Sequence, residues 1–116
     1  MSLSIKTRRM DGVTLLDLSG RLPIGEPVLL LRDNIRTFVK DGDMKFVLNL
    51  GDVSYIDSSG LGELVSTYTT VRNRQGDVKL LNLTTKAKDL LQMTKLLTVF
   101  DTYEDESKAV ASLAGQ

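Results

Sequence analysis

The sequence contains no cysteine, no histidine and no tryptophan among its 116 residues. Without cysteine the chain forms neither disulfides nor thiolate sites, so nothing in its composition indicates secretion. Without histidine it lacks the commonest general base, the usual zinc ligand and the central member of a Ser-His-Asp triad. These absences argue against hydrolytic enzymes of the usual kinds. We expect a protein that is not an enzyme and that has no metal and no cofactor.

An excess of charge of one sign is also lacking, because 15 basic and 15 acidic side chains cancel. No Lys/Arg-rich run or cluster of stacking aromatic residues is present, so direct binding of nucleic acid is not expected. No apolar run approaches the ~20 residues of a membrane helix, and the first residues do not resemble a signal peptide. The length favours a single domain spanning residues 1–116, and we expect a cytoplasmic location without membrane contact.

The rest of the pattern alternates strands with helices. Asp11-Gly12 is a turn signal that predicts an antiparallel hairpin. The predicted strands are 3–9, 13–18, 45–50, 78–83 and 96–100; the predicted helices begin near Pro27, Ser58, Thr84 and Glu104. This order indicates an α/β fold with a small mixed sheet of about five strands covered by about four helices. The third strand should be buried on both faces, so Asn49 within it needs hydrogen-bond partners.

Leu29 and Leu30 lie beside the apolar stripe of the first predicted helix. They have two interpretations, a wider buried face or part of an exposed docking patch. Leucines beside an apolar stripe are more often buried than exposed, and we favour the wider buried face here.

The most informative stretch runs from Asp52 to Gly62, where the third strand passes into the second helix. The first N–H groups of a helix lack partners and carry partial positive charge. A serine at such a place can cap the helix, or it can carry a phosphate that the helix terminus tolerates. Capping alone explains Asp57, Ser58 and Ser59, so this stretch by itself is a weak signal of function.

Three segments together match the sequence pattern of a known family. These segments are Leu18-Ser19-Gly20-Arg21-Leu22, Val47-Leu48-Asn49-Leu50 and Asp57-Ser58-Ser59-Gly60-Leu61-Gly62. The chain is similar over nearly its whole length to STAS-domain anti-sigma factor antagonists of the SpoIIAA and RsbV type. The resemblance implies the SpoIIAA-like fold of this family. It also implies a bacterial regulatory protein that acts by binding.

The resemblance implies a switch at Ser58, the first serine after the aspartate. An anti-sigma factor that is also a serine kinase phosphorylates this position, and a metal-dependent serine phosphatase reverses the modification. Unphosphorylated protein binds the anti-sigma factor and so frees its sigma factor. Ser59 is a less favoured acceptor, and Ser54 and Ser66 rank lower still. The implied partner-binding residues are Asp57, Ser58, Ser59, Gly60, Gly62, Glu63, Pro23 and Glu26.

One segment departs from the family pattern. Better-known members continue the Gly-x-Leu segment with aspartate, often followed by a Thr-Ala pair. Here Gly20-Arg21-Leu22 continues as Pro23-Ile24-Gly25-Glu26-Pro27. Glu26 is a candidate to replace the missing carboxylate, and the changed loop bears on which partner the chain binds.

Two other functions stay open at this point. STAS domains also serve as scaffolds of stress-signalling assemblies and as accessory subunits of transporters, without a phosphorylation switch. Some family members have been considered nucleotide binders, so weak nucleotide binding is a further possibility. Hydrolysis of nucleotides is not expected, because residues 58–62 lack the spacing of a phosphate-binding loop.

Overall fold

A computed structural model describes residues 3–114 of the chain. Its centre is a five-stranded sheet whose strands lie side by side in chain order. The strands are β1 (Leu3–Met10), β2 (Val13–Leu22), β3 (Lys45–Ile56), β4 (Asp77–Leu81) and β5 (Asp101–Tyr103). β1 and β2 pair antiparallel, whereas every other pair of neighbours is parallel. The predicted mixed sheet is therefore confirmed.

Four helices cover this sheet unequally. They are α1 (Glu26–Lys40), α2 (Ser58–Asn73), α3 (Thr85–Met93) and α4 (Glu106–Ala114). The first three share one apolar core with one face of the sheet, and α4 packs in a smaller cluster on the other face. Alternation along the strands supplies both cores, since Leu16 and Leu48 face the larger one and Leu15 and Val47 face the smaller.

β1 and β2 are joined by a tight turn at Asp11-Gly12, as the sequence predicts. Asp11 and Gly12 have φ angles of 53° and 80°. Positive φ at both central residues is the geometry of the tight hairpin turns that Asp-Gly favours, because it matches the twist of the paired strands. The predicted antiparallel hairpin is confirmed by the pairing of Met10 with Val13.

β3 occupies the middle of the sheet and is buried on both faces, as predicted. Asn49, partly buried on this strand, finds its partners across the sheet. Its amide nitrogen donates to Asp17 Oδ1 at 2.9 Å, and its carbonyl oxygen accepts from the backbone N–H of Gly51 and the amide of Asn82. The strand continues to Ile56, which carries the chain directly to the start of α2.

The predicted fifth strand at 96–100 is wrong. This segment forms turns, and the backbone N–H groups of Leu96 and Leu97 both donate to the carbonyl of Leu91 at the end of α3. Phe100 is buried and packs edge-to-face on Tyr68 of α2, with ring centroids 5.3 Å apart. A short apolar run does not distinguish a strand from a segment that fills the core. The true β5 begins at Asp101.

Two smaller expectations also need correction. Leu29 and Leu30 are 50% and 40% exposed, because the buried side of α1 is the narrow stripe formed by Pro27, Leu31, Ile35 and Val39. At about 100° of rotation per residue, positions 29 and 30 lie outside that stripe. The last helix begins at Glu106 instead of Glu104, and an Asp105 side-chain oxygen accepts from the N–H of Lys108.

Candidate functional site

The junction between β3 and α2 is built around Asp57, the N-cap residue of α2. Asp57 has extended backbone angles, and its Oδ1 accepts from the N–H of Gly60 at 2.9 Å. Aspartate is a preferred cap because its carboxylate satisfies one of the N–H groups that a helix start leaves without a partner. The capping role, one of the two interpretations of this stretch, thus belongs to Asp57.

The second oxygen of Asp57 reaches a different segment. It accepts from the backbone N–H of Ile24 at 3.1 Å, so one carboxylate joins the loop after β2 to the start of α2. The pKa of Asp57 is lowered, first by the Gly60 N–H and also by that of Ile24, since both donate to the ionised form. Sequence patterns gave no signal for the Ile24 contact, because it joins segments 33 residues apart.

Ser58 occupies the first position of α2 and is exposed. Its hydroxyl makes no hydrogen bond within residues 3–114. The hydroxyl is therefore both accessible to solvent and free to react. Gly62, one turn on, is exposed too, and a Cβ added there would meet no atom within 4 Å. Ser59 is only partly exposed, and the hydroxyl of Ser54 donates to the carbonyl of Gly20 at 3.1 Å. Ser58 thus combines exposure with a hydroxyl that no other group of residues 3–114 engages, whereas Ser59 is less exposed and Ser54 is engaged. Ser66, farther along α2, is exposed as well.

Gly60 has a packing role. It is buried, and a Cβ at this position would lie 2.1 Å from the carbonyl oxygen of Leu22. Only glycine therefore allows α2 to start this close to the end of β2. The resemblance implies Gly60 as a partner-binding residue, whereas in the structure Gly60 is buried and its neighbours Ser58 and Gly62 are exposed.

Glu63, which the resemblance implies as a partner-binding residue, is not exposed on α2. It is 3% exposed, and its Oε1 accepts from Nε and a terminal nitrogen of Arg32 on α1, at 3.1 and 2.9 Å. A buried carboxylate needs such a partner, and α1 supplies it. Glu63 therefore links the two helices and adds no uncompensated negative charge beside Ser58.

The loop that departs from the family pattern forms the rim next to Ser58. Ile24 at its tip is 72% exposed, Glu26 is exposed and Pro23 is partly exposed. Gly25 has a φ of 107°, which favours glycine, and Pro27 lies buried in the first turn of α1. The structure thus brings Pro23 and Glu26 to the same end of the molecule as Ser58. Ile24 is exposed at this end too, although it was not among the predicted site residues.

Two features are absent from the described part of the chain. Among residues 3–114, no three acidic side chains come together in a group that could hold a metal ion. In the same part of the chain, no helix combines the length and apolar character needed to cross a bilayer.

Comparison with known families decides where this arrangement belongs. Residues 4–109 match the model of the STAS domain family. The chain is a member of the STAS domain family. This STAS domain has the five-stranded mixed sheet and four helices that the resemblance implied.

Two curated relatives of this STAS domain bear related names. The anti-sigma-B factor antagonist of Bacillus subtilis is 29% identical over 103 residues, covering 87% of this chain and 91% of the relative. The anti-sigma F factor antagonist of Paenibacillus polymyxa is 25% identical over 113 residues, covering 97% of both. These names denote proteins that act by binding, and they come from bacteria.

Solved structures extend the likeness of the fold. Bacillus SpoIIAA in its phosphorylated form superposes with a TM-score of 0.75 at 21% identity, over 94% of this chain and 98% of that one. The murine anion transporter solute carrier 26 family member A9 superposes with a TM-score of 0.74 at 15% identity, over 94% of this chain but 19% of the transporter. At these identities the likeness concerns the fold alone, and the same fold occurs within a transporter.

Proposed function

We propose that this STAS domain is an anti-sigma factor antagonist whose binding surface surrounds Ser58 and is switched off by phosphorylation of that serine. The observation that carries the proposal is the free, exposed hydroxyl of Ser58 at the start of α2. The names of both curated relatives support the general role. The partner is an anti-sigma factor with serine kinase activity, and a metal-dependent serine phosphatase restores binding.

The surface around Ser58 suits a protein partner. Ile24 and Leu29 are 72% and 50% exposed and supply apolar area at this end of the molecule. Gly62 leaves open space on the exposed side of α2, so another backbone can come close. Asp57 has both oxygens engaged by backbone N–H groups, so it shapes the surface from within and holds Ile24 beside Ser58.

Phosphorylation acts on this surface through charge and volume. A phosphoserine brings about −1.5 to −2 charges, whereas a helix terminus offers only about +0.5. Asp57 already occupies the N–H of Gly60, so fewer donors are left for the phosphate. A partner that fits the neutral serine would have to bury a poorly paired dianion. Such unpaired interface charges cost about 2–5 kcal/mol, and no refolding is required.

The test compares Ser58→Asp and Ser58→Ala for binding to the cognate anti-sigma factor by calorimetry. We expect the aspartate to weaken binding by at least about tenfold and the alanine to bind while accepting no phosphate. Ser66→Asp is the matched control, because it adds the same charge to an exposed position of α2 two turns away. Equal binding by Ser58→Asp, the authentic phosphoprotein and the unmodified protein would rule the switch out.

The same fold also occurs as one part of an anion transporter. A second candidate function is therefore that of a scaffold or accessory subunit without a switch. Incubation with the kinase-like partner and ATP, followed by intact mass measurement, separates the two. The proposed antagonist gains one phosphate at Ser58 and none in Ser58→Ala, whereas a scaffold that is not a substrate gains none in either.

A further inference from the structure

A basic groove lies between α1 and α2 at the end of both helices that is remote from Ser58. It is open to solvent, has a volume of about 390 Å³ and is lined by Arg36, Val39, Lys40, Thr70 and Arg74. The helices run parallel, since Arg32 contacts Glu63 near their starts and the groove residues lie near their ends. At 1.5 Å per residue, the 12 residues from Ser58 to Thr70 place the groove roughly 18 Å from the candidate switch.

The three cations of the groove have no acidic partner. Within residues 3–114, Arg36, Lys40 and Arg74 make no ion pair, whereas the nearby Asp43 and Asp77 are already paired with other cations. Asp33 and Asp41 are close to Arg36 and Lys40 in sequence but do not line the groove. The helix dipole favours cations near a helix C-terminus, which explains why Lys40 and Arg74 occur where they do. It does not explain the presence of Arg36 one turn earlier.

The two walls of the groove define what would fit. Arg36 and Lys40 belong to α1 and Arg74 follows α2, and packed helices have axes about 8–10 Å apart. A single phosphate offers one compact charge to three cations, whereas a chain of linked phosphates offers a separate charged group to each wall. Guanidinium groups hold phosphate oxygens through two parallel hydrogen bonds, and the hydroxyl of Thr70 adds a donor. The volume lies at the lower end of the range for small-molecule sites, about 300–1,000 Å³.

We propose that the basic groove binds a small anion carrying two or more linked phosphate groups. The site is independent of Ser58 and of the proposed switch, because it uses other residues at the opposite end of α2. Free polyphosphate and the phosphate chain of a nucleotide share this chemistry. The experiment below distinguishes them.

The test is a titration of the ¹⁵N-labelled protein with tripolyphosphate at low ionic strength, followed by two-dimensional NMR. We expect concentration-dependent shifts of the backbone amides of Arg36, Lys40, Thr70 and Arg74. The double variant Arg36→Gln/Arg74→Gln should weaken binding about fivefold or more, since each exposed charge contributes modestly. The control Lys86→Gln/Lys108→Gln removes the same charge at exposed positions outside the groove and should bind like the unaltered protein.

Parallel titrations with orthophosphate and with ATP complete the design. Orthophosphate should bind more weakly than tripolyphosphate, because it brings fewer charged groups to the three cations. ATP that binds more tightly than tripolyphosphate would identify a nucleotide, and equal binding would identify the phosphate chain alone. The proposal is overturned if no shifts appear at millimolar tripolyphosphate, if they centre on the start of α2, if orthophosphate binds equally well, or if the control variant loses as much affinity.

Discussion

At the scale of single residues, neighbouring positions of α2 have opposite roles. Ser58 and Gly62 face solvent, whereas Gly60 and Glu63 lie beneath the surface. This division follows from the approach of α2 to β2 on one side and to α1 on the other. The proposed binding surface therefore consists of a few exposed residues supported by buried ones, and substitution of the buried residues would affect folding first.

The two glycines of the motif allow a direct comparison. Gly60→Ala should lower the free energy of unfolding by about 1–3 kcal/mol or more, because its Cβ would overlap the carbonyl oxygen of Leu22. Gly62→Ala should raise it by about 0.5–1 kcal/mol, because the site is open and alanine favours a helix. Urea unfolding of both variants measures this, and equal effects of the same sign would contradict the assigned packing.

The Arg32–Glu63 pair should respond asymmetrically to removal of its partners. The Glu63 side chain is 2% exposed and that of Arg32 is 38% exposed. Arg32→Gln leaves a buried carboxylate without its cation and should cost about 1–3 kcal/mol. Glu63→Gln frees an arginine that water can solvate and should cost less. Chemical unfolding of the two variants checks the order, and a larger loss for Glu63→Gln would show that the carboxylate is not the buried partner.

At the scale of elements, α4 is held to its face of the sheet by a polar clamp as well as by apolar packing. Arg8 on β1 donates to both carboxylate oxygens of Asp17 on β2 and to both of Glu106 at the start of α4. These hydrogen bonds, with Glu106 first, raise the pKa of Arg8 further above its already high value. One guanidinium thus ties together two strands and the helix that is last in the chain.

A double-mutant cycle tests the clamp. Arg8→Ala, Glu106→Ala and the double variant should reveal a coupling of about 0.5–1 kcal/mol in thermal or urea unfolding, since the pair is bidentate but partly exposed. The Lys88–Glu104 pair, at 3.7 Å with side chains 47% and 89% exposed, serves as control and should show coupling near zero. Equal coupling in the two cycles would mean that bidentate geometry contributes nothing here.

At the scale of the whole molecule, the absence of histidine shapes the dependence of stability on pH. No side chain of ordinary pKa titrates between about pH 5 and 8 without histidine. The pKa values of Asp17 and Asp57 are lowered, the first mainly by Arg8 and the second mainly by the Gly60 N–H. A carboxyl group with a lower pKa in the folded state adds stability above its unfolded pKa of about 3.9, and this is lost as the pH falls.

We therefore expect the urea midpoint to stay level between about pH 6 and 8 and to fall as the pH drops below about 5. Asp17→Asn and Asp57→Asn should each lower stability at neutral pH and reduce its loss at acidic pH, because the titrating group is gone. Urea titrations at about pH 4 and 7 measure both effects. A variant with the full acid sensitivity of the unaltered protein would show that its carboxylate does not contribute.

Local patterns were sufficient for much of this molecule. The Asp-Gly turn, the buried run of β3 and the cap three residues before Gly60 depend on neighbours in the chain, so the sequence predicted the hairpin, the central strand and the start of α2. The same patterns failed at 96–100, where an apolar run fills the core beneath α2 instead of joining the sheet. They also failed at Leu29 and Leu30, because the width of a buried stripe depends on what packs against it.

The sequence by itself determined the order of elements, the mixed sheet and the place of Ser58 at a helix start, because these follow from periodicity and capping within a few residues. The tertiary structure alone decided that Glu63 is buried against Arg32, that Asp57 holds Ile24, and that three cations without an ion pair among residues 3–114 meet between two helices. Those features join residues far apart in the chain, and their energies depend on burial and on distances that only the packed fold sets.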